Sequence, residues 1–412
     1  MQVNETVELS GHLMDSGVLA RVLDDVLDYG GDYAIDVLDV GKSHHDVSYA
    51  RVTVTAESSS ALQRLLMRLQ IHGVNQVDPG AAVLRAAPRD GVFPDDFYST
   101  TNLDTVVRLD GTWIAVESPE MDCGLLAAAD HSRIRTVPVS DVREGDLIVC
   151  GASGVKVAPP AREHRAAETF EFMASAVSSE KPQALLVRQI ADQLRAVKRR
   201  GERVLWVAGP AVVHTGASPA MVALVRAGYV DVLFAGNALA THDIEASLYG
   251  TSLGVDLAKG KGVEHGHEHH IRAINTIRRC GSIAAAVEQG VLTSGVMHSL
   301  VQSGKPYVLV GSVRDDGPLP DVYTDVVEGQ RAMRAQLGGI GFAVMVATML
   351  HSIATGNILP ASVPLVCVDI NPATVTKLGD RGSAQAVGIV TDIGLFLEQL
   401  ARDLVPDFRS AY

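Results

Sequence analysis

The sequence predicts an α/β protein: a C-terminal doubly wound parallel sheet, preceded by a small α+β domain and a β-rich middle region. Three observations carry this expectation. From about residue 170, continuous apolar runs alternate with helical stretches, as a parallel sheet covered on both faces requires. Residues 1–95 mix period-two strands with amphipathic helices. Residues 96–169 are short β segments joined by turns. The expected domains are therefore 1–95, 96–169 and 170–412, and two or three domains is the usual number for 412 residues.

In the first domain, Tyr33–Val37 and Ser48–Val54 alternate like strands. Residues 17–29 and 58–72 have helical spacing, with Leu62, Leu65, Leu66 and Leu69 on one face and Ser58–Ser60 as the N-cap region. In the middle region, Val106–Leu109, Trp113–Val116, Ile134–Val137 and Asp146–Val149 read as strands, and Asp110-Gly111 as a hairpin turn. Pro159-Pro160 marks its end. The C-terminal strands are Arg203–Ala208, Val230–Ala235, Tyr307–Val310, Val363–Val368 and Ala386–Val390. Helices are expected over 180–200, 218–227, 325–337, 339–356, 372–378 and 393–404.

Composition narrows the function. Apolar residues make up 47% and charged residues 20%, as in globular proteins. The net charge of −13, with no basic run, argues against nucleic acid as a partner. The four cysteines, Cys123, Cys150, Cys280 and Cys367, form no CxxC pair, which disfavours a disulfide scaffold or a zinc ribbon and fits a reducing compartment. The N-terminus lacks the basic start and apolar stretch of a signal peptide. Gly338–Ala354 approaches the length of a membrane span, but Arg331 and Arg334 precede it and it stands alone, so it reads as a buried helix. The expectation is a cytoplasmic protein with no membrane partner.

Ligands of open α/β sheets bind beyond the carboxyl ends of the strands, so the residues after each strand are the candidates. Gly236-Asn237-Ala238 follows Ala235; its small residues and free N–H groups suit a phosphate, or simply a tight turn and a cap. Gly311–Pro320 follows Val310 and carries Arg314, Asp315 and Asp316, able to hold a carboxylate, phosphate, ribose or ammonium, or to be a solvated loop. Asp369 follows Val368 and is placed to accept from ribose hydroxyls, which would favour NAD over NADP; Asn371 and Pro372 read as N-cap and first helical residue. Asp392, after Val390, either caps its helix or contacts the nicotinamide riboside. His351 is a polar group on an apolar segment, either a hydrogen-bonded core residue or part of a cofactor pocket. No GxGxxG or Walker A sequence is present, so dinucleotide binding requires a variant of the fold.

Histidines concentrate in Val263–His270. Their spacing is not that of a metal protease and the expectation is no metal. His267 and His270, with Lys259 or Lys261 nearby, either suit acid–base work at nitrogen, because imidazole titrates near neutrality, or serve a structural role.

Phe234–Glu245, Gly266–Ser282, Gly311–Thr324 and Val368–Ile393 resemble the archaeal-type ornithine cyclodeaminases. Gly11–Asp15, Gly41–Ser43 and Ser48–Arg51 are similar to the region shared with plant lysine-ketoglutarate reductase/saccharopine dehydrogenase, and Asp96–Asn102 and Glu117–Asp122 continue the match. The resemblance implies a sheet like that of deoxyhypusine synthase. It also implies NAD held by Asn237, Ala238, Asp316, Thr348, Met349, Leu350, His351, Asp369, Asp392 and Ile393. The implied reaction is redox-neutral conversion of ornithine to proline and ammonia, with His267, His270 and Asp315 as acid–base candidates. The related cyanobacterial enzyme carries an additional arginine-degrading domain, for which this chain has no room, so arginine hydrolysis is not expected. The alternatives are a net amino-acid or saccharopine-type dehydrogenase and a non-enzymatic NAD- or amino-acid-binding regulator. A homo-oligomer is expected from the apolar content.

Overall fold

The N-terminal sheet has four strands, two of which carry its buried apolar face. The strands are β1 (Val3–Gly11), β2 (Asp32–Asp39), β3 (Ser48–Ala56) and β4 (Asn75–Gln76), in the order β2-β3-β1-β4. Along β3 buried and half-buried residues alternate over all nine positions, the signature of a strand packed on one side. Helices α1 (Val18–Asp28) and α2 (Ser59–Gln70) lay Val22, Val26, Leu62, Leu65, Leu66 and Leu69 against Val7, Leu9, Val52 and Val54. Ser58 caps α2 by accepting from Ala61 N–H at 3.2 Å.

A second, seven-stranded sheet follows: β5 (Val83–Ala86), β6 (Thr105–Leu109), β7 (Thr112–Glu117), β8 (Gly124–Ala127), β9 (Ile134–Val137), β10 (Leu147–Cys150) and β11 (Val155–Val157). Its order is β11-β6-β7-β9-β8-β10-β5. Asp110 and Gly111, at φ 48° and 81°, turn β6 into β7, since a two-residue hairpin with positive φ at both central positions matches the strand twist.

The structure, a computed structural model, describes residues 2–11, 13, 17–42, 46–158, 183–253, 255–256, 268–313, 315, 317–380 and 386–409. Pro159-Pro160 falls outside them. The chain divides into two units, one from residues 1–161 and 357–362 holding both sheets above, the other from 162–356 and 363–412.

The second unit is built on a parallel sheet. Its strands are β12 (Arg203–Ala208), β13 (Val232–Gly236), β16 (Tyr307–Val310), β17 (Val322–Tyr323), β18 (Ile340–Val346), β19 (Leu365–Asp369) and β20 (Ala386–Val390). A small hairpin, β14 (Thr251–Ser252) and β15 (Val255–Asp256), stands apart. The order β17-β16-β13-β12-β18-β19-β20 means that the chain winds outward from β12 on one side, then returns to start at β18 on the other. The two directions part between β12 and β18, where such folds open a crevice. The helices are α3 (Gln183–Arg199), α4 (Ala211–His214), α5 (Ser218–Arg226), α6 (Asn237–Tyr249), α7 (His269–Cys280), α8 (Ile283–Glu288), α9 (Val296–Gln302), α10 (Val326–Arg334), α11 (Met349–Ile358), α12 (Pro372–Asp380) and α13 (Ile393–Leu404).

One expectation is corrected. Residues 339–356 are not a single helix: Ile340–Val346 is β18, paired with β12 and β19 near the middle of the sheet, and the helix starts only at Met349. A central parallel strand is apolar on both faces, so its sequence has no period to separate it from a buried helix. The reading of Gly338–Ala354 as a buried helix falls with it. No helix among the described residues is long and apolar enough to cross a membrane.

At the amino end of the strands, Asp231 accepts from Lys198 Nζ and Lys305 Nζ, both at 2.8 Å, and from Val204 N–H at 2.9 Å. Burial pushes its carboxyl up, but these donors outweigh burial and leave the pKa below the usual range. This cluster pins β12 to the β13 side of the sheet, away from the edge where the candidate residues lie.

Candidate functional site

The carboxyl edge of the parallel sheet is shaped by glycines that have no room for a side chain. At the end of β12, a Cβ on Gly209 would lie 1.9 Å from the Ala347 carbonyl oxygen, beyond β18. Ala347 itself has φ 53°, a conformation costly for a residue with a Cβ. The two strand ends therefore meet backbone to backbone where the winding direction reverses. At the end of β13, a Cβ on Gly236 would lie 3.2 Å from His351 Cε1, so the His351 ring lies across Gly236.

Several of the sequence candidates gather here. Asn237, the first residue of α6, is buried, and its Oδ1 accepts from Leu319 N–H at 3.0 Å and from Thr241 Oγ1 at 3.3 Å. Leu319 N–H can only donate, which fixes that atom as oxygen and leaves the NH2 group without a partner among the described residues. Ala238 is exposed beside it. Burial depresses the His351 pKa, opposed by the nearby Val310 and Ala235 carbonyls and by Asp315. Asp315 folds back to accept from Ser312 N–H at 2.8 Å. Asn237, Asp315 and His351 thus form one group around the ends of β13 and β16.

Thr348 lies against Gly209, and Leu350 is 74% exposed. Across the sheet, Asp369 Oδ1 accepts from Asn371 N–H at 2.8 Å, while Oδ2 has no partner among the described residues. Asn371 caps α12 through Ala373 N–H at 3.0 Å. Asp392 caps α13 through Leu395 N–H at 3.0 Å. Ile393 is buried in the core, so only its backbone faces the edge. Met349 is half-buried. Lys259, Lys261, His265, His267, Arg314 and Asp316 lie outside the described residues.

A second group was missed by sequence reasoning. On α6, His242 Nδ1 lies 2.8 Å from Glu245 Oε2, and Glu245 is fully buried. Thr251 Oγ1 bonds the other Glu245 oxygen at 2.9 Å and His269 Nδ1 at 2.8 Å. On α4, His214 Nδ1 lies 2.7 Å from Ser252 Oγ and its ring stands edge-on to His242, centroids 4.8 Å apart. The sequence candidate His270 is on the other side, 6.4 Å from His242 between centroids. Burial, then the His242 ring, depress the His214 pKa to about 4, against a smaller upward pull from Glu245. The available signal was α6 itself, which buries Asn237, Thr241, Asp243 and Glu245 where an ordinary helix of an α/β sheet buries apolar side chains. No group of three or more His, Cys, Asp or Glu side chains suited to a metal occurs among the described residues.

The two groups share one edge. His214 and Thr215 end the short helix after β12, and a Cβ on Gly394, at the start of α13, would meet Thr215 at 3.4 Å. Such an edge offers hydrogen-bond acceptors at Asp369, a free amide at Asn237, and imidazoles with fixed neighbours.

Comparison with known proteins places this geometry. Residues 188–400 match the family described as arginine dihydrolase ArgZ-like, C-terminal, Rossmann fold. Residues 104–187 match the first region of the same C-terminal part, and residues 4–103 the LOR/SDH bifunctional enzyme conserved region. The chain is 53% identical to the ornithine cyclodeaminase of Methanothermobacter thermautotrophicus over 97% of each chain. It superposes on apo ArgZ, a cyanobacterial arginine dihydrolase, with a TM-score of 0.85 at 36% identity, covering 98% of this chain and 58% of that one. It is also similar to AgrE solved as a ternary complex with ornithine and NAD+, at TM-score 0.52 and 40% identity, covering 98% and 57%. The chain thus spans little more than half the length of those two solved proteins.

Proposed function

Because the chain belongs to the archaeal-type ornithine cyclodeaminase family, we propose that it is a cyclising ammonia lyase converting L-ornithine to L-proline and ammonia with NAD as a resident cofactor. What carries the reading is the likeness across 97% of both chains to a protein named ornithine cyclodeaminase. The strand-end geometry supplies a place for the chemistry.

The residues fit NAD. The free oxygen of Asp369, backed by the Asn371 N–H, suits ribose hydroxyls and would repel a 2′-phosphate. The Asn237 amide, Ala238 and the first N–H groups of α6 suit a pyrophosphate. Thr348, Met349, Leu350 and His351 border the same edge, with Asp392 and the Ile393 backbone beyond them; Asp316 is assigned with them on the resemblance alone. When bound, NAD serves as a reversible hydride carrier for the carbon bearing the α-amine. The chain itself must hold that carbon in place, since positioning is much of such catalysis, and must move protons at two nitrogens. His270 and Asp315, with His267, are assigned to deprotonating the two ammonium groups of the substrate. Ornithine rather than lysine is the assigned substrate, although one methylene is worth only about 1–3 kcal/mol of discrimination. The protein is assigned to the cytoplasm as a homo-oligomer.

The test is mass spectrometry of products from ornithine, lysine and arginine with catalytic NAD. Equal proline and ammonia from ornithine, with no net NADH, is expected. The match of residues 4–103 to the LOR/SDH region favours a second reading, a saccharopine-type dehydrogenase, and NADH accumulating in step with product would establish it instead. Saturable binding of NAD and ornithine without turnover would mean a regulator.

A further inference from the structure

The His242–Glu245 arrangement determines where protons sit. Glu245, as a carboxylate, only accepts. His242 Nδ1 must therefore donate to it at 2.8 Å, and so must Thr251 Oγ1 at 2.9 Å. The single hydroxyl proton of Thr251 is then committed, so the His269 Nδ1–H donates to Thr251. Both imidazoles are fixed with the proton on Nδ1 and the lone pair on Nε2. An imidazole backed by a buried carboxylate is held in one tautomer and stabilised when it takes a second proton. Among the described residues, the other rings facing His242 are His214 from α4 and His270 from α7. Burial and the His242 ring keep His214 uncharged down to about pH 4, so a protonated His242 meets no second positive charge from that side.

Nothing in the assignment above uses this pair, yet the reaction has a step that requires it. We propose that His242, held by Glu245, carries a proton from the newly formed ring nitrogen to the departing amine; this rests on the cyclodeaminase reading. Once the δ-nitrogen has bonded to the α-carbon, the ring nitrogen bears an extra proton and the former α-amine is neutral. His242 Nε2 takes the proton from the ring nitrogen and delivers it to the neighbouring amine. The bond from carbon to that amine breaks, its electron pair leaving on ammonia, while the ring nitrogen's lone pair forms the carbon–nitrogen double bond. Protons and electrons balance without a co-reactant, and the two nitrogens share one carbon, so a single imidazole reaches both. His242 is the catalytic residue; Glu245, Thr251 and His214 are positioning residues.

The experiment is rapid mixing of NAD-loaded enzyme with ornithine, following NADH absorbance and quenched proline. In His242→Asn, proline formation is expected to fall by about 100-fold or more, the usual contribution of a general acid–base group. NAD affinity should be unchanged, and NADH should appear at the parental rate and persist. In Glu245→Gln, proline formation should fall about tenfold, with the acidic limb of the pH–rate profile moved to lower pH because the imidazolium has lost its carboxylate. His242→Asn turning over within threefold of the parent, or losing NADH formation and proline formation in parallel, overturns the relay. If His242→Asn does not fold, the pH profile of Glu245→Gln decides: an unmoved limb overturns the proposal. A parent enzyme that makes no proline overturns the cyclodeaminase reading and the relay together, whereas an active parent with an indifferent His242→Asn overturns the relay alone.

Discussion

Gly209→Ala is the most direct test of the idea that the crevice is set by backbone contact between the ends of β12 and β18. The added Cβ would lie 1.9 Å from the Ala347 carbonyl oxygen and 2.7 Å from its carbon. Real Cβ contacts essentially never fall below 3.0 Å, so the strand ends must part by about 1 Å in an interior that is otherwise close-packed. Neither colliding atom belongs to a flexible side chain, so the cost belongs at the upper end of overpacking, about 3 kcal/mol. For a unit of this size that is a loss of roughly 6–12 °C in Tm. Asn237, Asp369 and Asp392 flank this point, so a displacement of about 1 Å should also cost about 100-fold in turnover through misplaced reactants. Thermal melting, NAD titration by fluorescence and steady-state proline formation read the three consequences. A Gly209→Ala protein melting within 1 °C of the parent with unchanged NAD affinity would refute the reasoning.

Two further changes probe the edge and its foundation. Asp369→Ala removes a carboxylate placed for ribose hydroxyls, so NAD binding should weaken by about 10–100-fold, the value of one or two charge-assisted hydrogen bonds, and discrimination against NADP should shrink; parallel titrations with both nucleotides measure it, and an unchanged ratio removes Asp369 from the site. Asp231→Asn keeps the shape but removes the charge shared by Lys198 and Lys305, and about 1–3 kcal/mol should be lost through poorly satisfied donors. Because the folded-state pKa of Asp231 lies below its ordinary 3.8, its contribution is present above that value and is lost as pH falls through the depressed one; denaturation in urea from pH 6 down to pH 2.5 should show an acid-limb slope that Asp231→Asn flattens.

The strands flanking the site were legible because parallel strands write themselves as short apolar runs. Tyr307–Val310, Ala386–Val390 and Arg203–Ala208 have the limits that the apolar pattern alone predicts. Ligands of such sheets bind where the strands end, so Asn237, Asp315, Asp369 and Asp392, at or soon after the ends of these runs, could be expected at one edge without coordinates. The same logic failed at Ile340–Val346. A strand between two neighbours and under helices on both faces loses the alternation that distinguishes strand from helix, and the following Ala347-Thr348 carries no glycine or proline to mark its end. β1 was missed for a different reason: Val3–Gly11 carries Glu5 and Glu8, one on each face and both half-buried, and a polar strand at a chain terminus looks like an unstructured end.

The histidine cluster shows the harder limit. His214, His242, Glu245, Thr251 and His269 come from four elements spread over more than fifty residues, and each is unremarkable beside its sequence neighbours. The dense run His265–His270 attracts the eye, but local density does not find the rest: among the described residues the cluster draws His269 and His270 from that run, and His214 and His242 from far outside it. What brings the rest together is the brevity of α4. A standard dinucleotide turn leads from the first strand straight into a long helix whose N-terminus takes the pyrophosphate. Here Gly209-Pro210 opens a helix of four residues, and Gly216, at φ 76°, turns the chain before α5 begins. One turn of helix has too few aligned peptides to act as an anion site, which is why no GxGxxG is needed. The same single turn ends on His214 directly above the strand edge, against His242. The missing fingerprint and the histidine cluster are thus two consequences of one local departure from the common fold. Lengthening α4 should therefore disrupt the cluster before it disturbs the sheet.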